Sequence, residues 1–241
     1  MSSGVYSVLS GALVRMQQLD ATVNNLANIG NIGFKGDRMS FEAVFDEYVQ
    51  NQDGKGINFT RTSACRPDFS QGYLEKTDQP LDVAIRGKGF FKVAGKNGFF
   101  YTRQGNFNLD ENGNLVTSGT GLQVVGENGP LNLPQSDVSI DKNGTVAADG
   151  AEIGRLTVYE IPQEENLIRM GDGLWKLKDG SEDVVSTGSD LLLGNLERSN
   201  VSAVLLTTQI IEAKRAYETY MNTIKLFGEI SEKSSQIGKI G

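Results

Sequence analysis

The sequence predicts an α+β protein in which N- and C-terminal α-helices form a coiled coil and a central all-β domain forms an antiparallel sandwich or irregular barrel. Apolar residues recur with heptad spacing at both ends of the 241-residue chain, as in helices that pack along a seam. Between these ends, Asn-Gly pairs separate short runs rich in β-branched and aromatic residues. The predicted division is a helix in 1–35, a linker with extended segments in 36–75, the β domain in 76–190 and a helix in 191–241.

The first helix is predicted over roughly residues 3–28, because its apolar residues step alternately by four and three positions. This N-terminal assembly seam comprises Val5, Leu9, Ala12, Met16, Leu19, Val23 and Leu26. Val8 and Leu13 add apolar surface beside the seam. A single partner helix would leave that surface exposed, so we expect the helix to have further neighbours.

The helix runs into the sequence NNLANIGNIGF at residues 24–34. We predict that Asn28 or Gly30 takes the left-handed conformation that ends the helix. The asparagine amides would then bond backbone groups of an adjacent chain in an assembly, and Phe34 would anchor the chain as it turns toward the β domain. This helix-end motif comprises Asn24, Asn25, Asn28, Gly33 and Phe34.

The β domain is predicted from four Asn-Gly pairs spaced 15, 16 and 15 residues apart. In a two-residue hairpin turn both positions take positive φ, which asparagine and glycine tolerate best. The pairs are Asn97-Gly98, Asn112-Gly113, Asn128-Gly129 and Asn143-Gly144. The predicted strands are Leu81–Ile85, Phe90–Val93, Phe99–Thr102, Phe107–Leu109, Leu115–Thr117, Leu122–Val125, Val138–Ile140 and Leu156–Tyr159.

A short motif occurs twice in this region, as LDENGNLV at 109–116 and IDKNGTVA at 140–147. Asp110 and Asp141 invite comparison with a calcium loop, but the glycine stands fourth from each aspartate instead of sixth. The spacing therefore favours hairpin turns over a metal site.

The second helix is predicted over roughly residues 200–236, with Ser199 or Asn200 as its N-cap. The C-terminal assembly seam comprises Ala203, Leu206, Ile210, Ala213, Tyr217, Tyr220, Ile224 and Phe227. Further apolar residues lie beside it, at Val204, Leu205, Ile211 and Met221. We expect both ends of the chain to become fully ordered only in an assembly.

Composition excludes several classes of function. The chain has no histidine, which removes Ser-His-Asp, Cys-His and HExxH chemistry. Its net charge is −7 and no basic stripe is present, which argues against nucleic acid. Cys65 is the one cysteine and is expected to be an inert thiol. We expect no catalytic residue, cofactor, metal site, small-molecule substrate or cleaved signal peptide.

Four motifs, in order along most of the chain, resemble the flagellar rod and hook family of bacterial axial proteins. They are NNLANIGNIGFK (24–35), QGYLEKTDQPLDVAIRGKGFFKV (71–93), YTRQGNFNLDENGNLVTSGTGLQV (101–124) and GNLERSNVSAVLLTTQIIEAKRAYE (194–218). Within this family, GENGPLNLP (126–134) and MGDGLWKL (170–177) are most similar to proximal-rod members. The chain departs from the family pattern at residues 31–33 and 205–207, which concerns details of subunit contact.

The resemblance implies a structural subunit of the basal-body rod that polymerises through its terminal helices into a tubular drive shaft. It also implies secretion in an unfolded state through the flagellar type III export apparatus and assembly in the periplasm. The implied partners are copies of the chain itself, other rod proteins and the export apparatus.

Three alternatives remain open from the sequence. A distal-rod or hook-type axial protein would share the same motifs. A secreted β-sheet binding module oligomerised by helices would need an exposed aromatic cluster, but Trp175 is the only tryptophan. An enzyme is disfavoured because no catalytic constellation is recognisable.

Overall fold

The structure is a computed structural model that describes residues 2–45, 58–96, 98–133, 138–141 and 143–237. The chain divides into two compact units. The helical unit contains the described parts of 1–27, 37–68 and 201–241, and the β unit contains those of 28–36 and 69–200. The predicted terminal helices and central antiparallel β region are both confirmed.

The helical unit is built on α1 (Ser2–Ala27) and α2 (Ala203–Ile237), which pack against each other. A Cβ added at Gly11 would lie 2.7 Å from Tyr220 Cζ, and one at Gly4 would lie 3.9 Å from Phe227 Cζ. The earlier residue of α1, Gly4, lies near the later residue of α2, Phe227, so the two helices run antiparallel. Neither helix, within the described residues, combines enough length and apolarity to cross a membrane.

The predicted N-cap of α2 is wrong. The helix begins at Ala203, and the Ser202 carbonyl accepts its first helical bond from the Leu206 amide at 2.9 Å. The Asn200 side chain instead accepts a bond from the Gly36 amide at 2.9 Å, so it is engaged away from the helix.

A long antiparallel hairpin occupies much of the region predicted as a linker. It consists of β1 (Asp37–Phe45) and β2 (Asn58–Pro67), and Asp37 pairs with Pro67 at the open end. Both strands pack on α1, so this hairpin belongs to the helical unit.

The β unit contains a large antiparallel sheet, a three-stranded sheet and two ribbons. The strands of the large sheet are β5 (Phe90–Gly95), β6 (Gly98–Thr102), β7 (Phe107–Leu109), β8 (Leu115–Thr117), β9 (Gln123–Gly126), β10 (Gly129–Pro130), β14 (Val158–Glu160), β15 (Leu167–Gly171), β16 (Leu174–Leu177) and β17 (Val184–Val185). They follow the order β15-β16-β6-β5-β9-β8-β7, with β10 paired to β9, β14 to β5 and β17 to β14.

The remaining strands form shorter pairings, and a 3-10 helix (Glu164–Asn166) precedes β15. The three-stranded sheet contains β11 (Val138–Ile140), β12 (Thr145–Ala148) and β13 (Ala151–Arg155). The two ribbons pair β3 (Leu74–Lys76) with β19 (Asn195–Glu197) and β4 (Val83–Arg86) with β18 (Asp190–Leu193). Each ribbon joins residues more than a hundred positions apart, which no local pattern could predict.

Two apolar clusters form the core of the β unit. The larger contains Val83, Phe91, Val124 and Leu156, and Phe91 meets Phe107 edge to face with ring centroids 5.1 Å apart. The smaller is centred on Trp175 and Phe90. Aromatic pairs of this geometry stabilise a core beyond the apolar area that they bury.

The Asn-Gly turns lie where the sequence placed them, but the predicted positive φ of the asparagine is wrong for the three pairs whose asparagine the structure describes. Glycines 98, 113, 129 and 144 have φ of +107°, +80°, +122° and +82°. Among the described residues other than glycine, positive φ occurs only at Asp78, Asp149 and Asp172, so the asparagines at 112, 128 and 143 do not share it. Asn97 lies outside the described residues.

The two copies of the repeated motif form the same turn, closed by the aspartate side chain. Asp110 Oδ1 accepts bonds from the amides of Asn112 and Asn114, at 2.9 and 2.7 Å. Asp141 Oδ1 accepts the equivalent bonds from Asn143 and Thr145, both at 2.8 Å. In the first copy this is a three-residue loop, 111–113, in which only the glycine takes the left-handed conformation, and it explains why the two-residue prediction failed there.

Candidate assembly interface

A row of exposed apolar side chains follows one face of α1. Leu9, Met16 and Val23 are 42%, 49% and 47% exposed, so these three members of the predicted seam lie outside the contact with α2. Tyr6 and Leu13 extend the row along the same face. We call these five residues the α1 apolar row.

The other members of the N-terminal seam lie toward the interior of the helical unit. Ala12 is buried, and Val5, Leu19 and Leu26 are partly buried. The glycine at position 11 lets the Tyr220 ring approach the α1 backbone closely, so α2 packs on this side of α1 instead of against the larger leucine and methionine side chains.

The C-terminal seam faces inward over most of its length. Leu206 and Ala213 are buried, while Ala203 is exposed. The remaining members are partly buried, namely Ile210, Tyr217, Tyr220, Ile224 and Phe227. Apolar side chains also remain exposed on the opposite side of α2, at Val204, Leu205, Ile211, Leu226 and Ile230.

The helix-end motif differs from its prediction in two respects. Neither Asn28 nor Gly30 takes positive φ; Gly33 does, at +66°. Asn25 was expected to bond an adjacent chain, but its amide is bonded to its own chain, since Nδ2 donates to the Asp37 carbonyl and Oδ1 accepts from the Asp37 amide, both at 2.9 Å. Asn25 therefore fixes the start of β1 against the end of α1 within the helical unit.

The other asparagines of the motif are arranged locally. Asn28 Oδ1 accepts a bond from Asn31 Nδ2 at 2.8 Å, and the Asn28 carbonyl accepts the Asn31 amide at 3.1 Å. Asn24 is exposed at the end of α1.

Phe34 is buried in the β unit, where sequence analysis expected an anchor. The Arg169 guanidinium lies 5.1 Å from the Phe34 ring centroid and 4.6 Å from that of Trp175, so it is sandwiched between two aromatic rings. Arg169 also donates a bond to the Lys35 carbonyl at 2.7 Å. These contacts hold residues 33–36 on β15 and β16.

A buried cluster of charged side chains, which we call the junction cluster, was missed by sequence analysis. Lys35 Nζ lies 2.6 Å from Glu197 Oε1, and both side chains are fully buried. The Arg103 guanidinium lies 3.1 Å from Glu197 Oε2 and 5.3 Å from the centre of the Phe90 ring. Burial lowers the pKa of Arg103 from its usual value, and the neighbouring Glu197 carboxylate opposes this shift.

The junction cluster had a signal in the sequence that composition and periodicity do not use. Each of its three charged residues lies inside one of the motifs that carry the family resemblance. A charge is paired when it is buried. Because Lys35 and Glu197 are 162 residues apart in the sequence, no local pattern predicts that they pair.

Terminal helices with uncovered apolar rows, joined to an antiparallel β unit, are typical of a subunit that packs in a larger assembly. Two family models match the chain: the flagellar hook protein FlgE/F/G D1 domain over residues 84–148 and the flagellar basal body rod FlgEFG protein C-terminal region over residues 193–237.

Curated relatives match over nearly the whole length. The flagellar basal-body rod protein FlgF of Caulobacter vibrioides is 29% identical over 100% of both chains. The flagellar basal-body rod protein FlgG of Agrobacterium fabrum is 33% identical over 95% of this chain and 96% of its own. The FlgG protein of Buchnera aphidicola subsp. Schizaphis graminum is 31% identical over 92% and 95%. The chain belongs to the flagellar basal-body rod protein family.

Proposed function

We propose that this chain is a structural subunit of the bacterial flagellar basal-body rod, in its proximal part, and that it has no enzymatic activity. It polymerises with copies of itself and with other rod proteins into the tubular drive shaft. The observation that carries this proposal is the α1 apolar row, in a chain whose rod-protein relatives match it from end to end.

The terminal helices supply the assembly contacts. The α1 apolar row repeats with steps of three and four residues from Tyr6 to Met16, the spacing that fills the seam of a coiled coil. In the assembled rod, helices of neighbouring subunits cover this row and the exposed apolar residues of α2. The predicted seams on both helices thus serve two purposes, with some members pairing α1 and α2 and others meeting neighbours.

The subunit reaches its site through the flagellar type III export apparatus. Export in an extended state and assembly in the periplasm fit helices that leave one apolar side uncovered in the single chain. Its location is the periplasmic rod of the basal body.

Substitution in the α1 apolar row tests the assembly role. Leu13→Glu places a charge on the exposed row while keeping a good helix former, so the single chain should fold but rods should fail to assemble. Leu13→Met keeps the position apolar and is the matched control. The measurement is complementation of swimming in a strain that lacks this gene, together with recovery of rods in purified basal bodies. Normal rods with Leu13→Glu would remove the support for assembly through this face.

The distal rod is the second candidate, because FlgG proteins reach 33% identity with this chain. The alignment with the Caulobacter vibrioides FlgF protein covers the full length of both chains, which supports a proximal position of this subunit in the rod. A density map of intact basal bodies, with this subunit labelled, separates the two by the height of the label along the rod. A label in the hook would instead support a hook-type subunit.

A further inference from the structure

Three segments of the β unit lead directly into the helical unit. They are residues 28–36, the residues that follow Phe69 and the residues that end at Asn200. Every covalent connection between the two units therefore leaves the β unit from one of these segments.

Hydrogen bonds inside the β unit tie the three segments to one another. The Lys35 ammonium donates to Glu197 at 2.6 Å and to the Ser70 carbonyl at 2.7 Å. The Gly72 amide donates to the same Glu197 carboxylate at 2.8 Å, and the Gly33 amide donates to the Glu197 carbonyl at 2.7 Å. The side chains of Lys35 and Glu197 thus each join all three segments.

A second set of hydrogen bonds, made by the Asn200 side chain, joins the same three segments nearer to their outer ends. Asn200 Oδ1 accepts a bond from the Gly36 amide at 2.9 Å, and its Nδ2 donates to the Ser70 carbonyl at 3.3 Å. All of these bonds lie within the last few residues before the chain enters the helical unit.

The Glu197 carboxylate does not need Lys35 as a partner, and this separates two explanations of Lys35. Lys35 and Arg103 both pair with Glu197, and the Glu164 carboxylate also acts on Arg103. Because Arg103 would still pair with Glu197 if Lys35 were absent, pairing of this carboxylate does not require Lys35. Burying an additional ammonium costs free energy, and what Lys35 adds in return is its bond to Ser70 and its tie to Glu197.

We propose that the junction cluster is a clamp, with Lys35 as its positioning residue, that fixes at one point of the β unit the three segments through which the chain enters and leaves this unit. In the rod this clamp orders the chain ends for assembly, a consequence that rests on the proposed function. The clamp itself is a property of the single folded chain.

Hydrogen exchange of the full-length chain tests the clamp. Lys35→Met removes the ammonium but leaves the Arg103–Glu197 pair intact and electrically neutral, so the β unit should fold. Amides in residues 28–36 and 69–73 should exchange about tenfold faster or more, while those of β5 in the large sheet should keep their rates. Lys76→Met is the matched control, since Lys76 forms an exposed pair with Asp78, and it should change neither region.

The outcomes are distinct. Unchanged exchange in both segments of Lys35→Met would overturn the clamp, and equal acceleration throughout β5 would make Lys35 a residue of general stability, which also overturns it. Local acceleration with normal swimming would overturn only the role of the clamp in assembly. Absence of the wild-type subunit from purified basal bodies would overturn the proposed function, whatever the exchange rates of the variants are.

Discussion

Glu197 has an environment in which loss of its charge cannot be compensated. Its carboxylate accepts bonds from the Lys35 ammonium, the Arg103 guanidinium and the Gly72 amide, and its side chain has no exposed surface. Glu197→Ala leaves the buried Lys35 and Arg103 without the carboxylate that both of them contact. We expect it to lower the free energy of unfolding of the β unit by about 3–5 kcal/mol, measured by urea denaturation.

The matched control is Asp190→Ala. Asp190 pairs with Arg86 at 3.1 Å, but the two side chains are 70% and 57% exposed. Solvent screens such a pair, so its loss should cost no more than about 1 kcal/mol. Equal effects of the two substitutions would show that the buried carboxylate is not essential.

Asp110 should give the β unit a stability that depends on pH. Bonds from the Asn114 side chain and amide hold the pKa of its carboxyl below the usual value. The ionised form thus favours the folded state; this stabilisation is complete above the unfolded pKa of about 3.9 and is lost as the pH falls through the lower folded pKa. Between about pH 4.5 and 2.5 the wild type should lose more stability than Asp110→Asn, which cannot titrate. Glu111→Gln, one residue away, is the control for loss of a negative charge, and urea midpoints across this range make the comparison.

At the residue scale the sequence predicted turn positions better than side-chain partners. Gly113 and Gly144 were correctly placed in turns because an Asn-Gly pair is a local signal. The Asp110 carboxylate favours the three-residue turn, because it accepts bonds from the backbone amides of Asn112 and Asn114. Partners such as Lys35 and Glu197 depend on the whole fold and have no local signal.

Among the larger elements, the helices were the most predictable. A period sustained over many turns fixes where α1 and α2 lie, to within a few residues. Periodicity alone did not show which side of α1 faces α2, because the choice depends on the contact between Gly11 and Tyr220. The hairpin of β1 and β2 was predicted only as extended segments, although the Asp53-Gly54 pair between the two strands is a turn signal of the same kind as Asn-Gly.

Glycine substitutions test the packing of α1 on α2. Gly228 has no atom within 4 Å of an added Cβ, so Gly228→Ala should stabilise α2 by about 1 kcal/mol through helix propensity alone. Gly11→Leu should have the opposite effect, because its side chain would occupy the position of the Tyr220 ring. The measurement is the midpoint of the thermal loss of helical circular dichroism at 222 nm. A higher midpoint for Gly11→Leu would contradict the close contact.

At the scale of the whole molecule, the two units differ in how completely they bury their apolar side chains. The β unit encloses a core whose central members, including Val83, Phe91, Val93, Leu115 and Val124, have almost no exposed surface. The helices leave the α1 apolar row and much of the outer face of α2 exposed. Ordering a helix costs backbone entropy at every residue, and apolar burial on one side offsets only part of that cost.

We therefore expect unequal protection from hydrogen exchange in the free full-length chain. Amides of α1 and α2 should exchange at least about a hundredfold faster than those of β5 and β9, because local opening of the helices exposes little additional apolar surface. In assembled rods the same helical amides should become protected, since neighbouring subunits cover the apolar row. Equal protection of the helices and the central strands in the free chain would show that the helices need no neighbours, and would separate their folding from assembly.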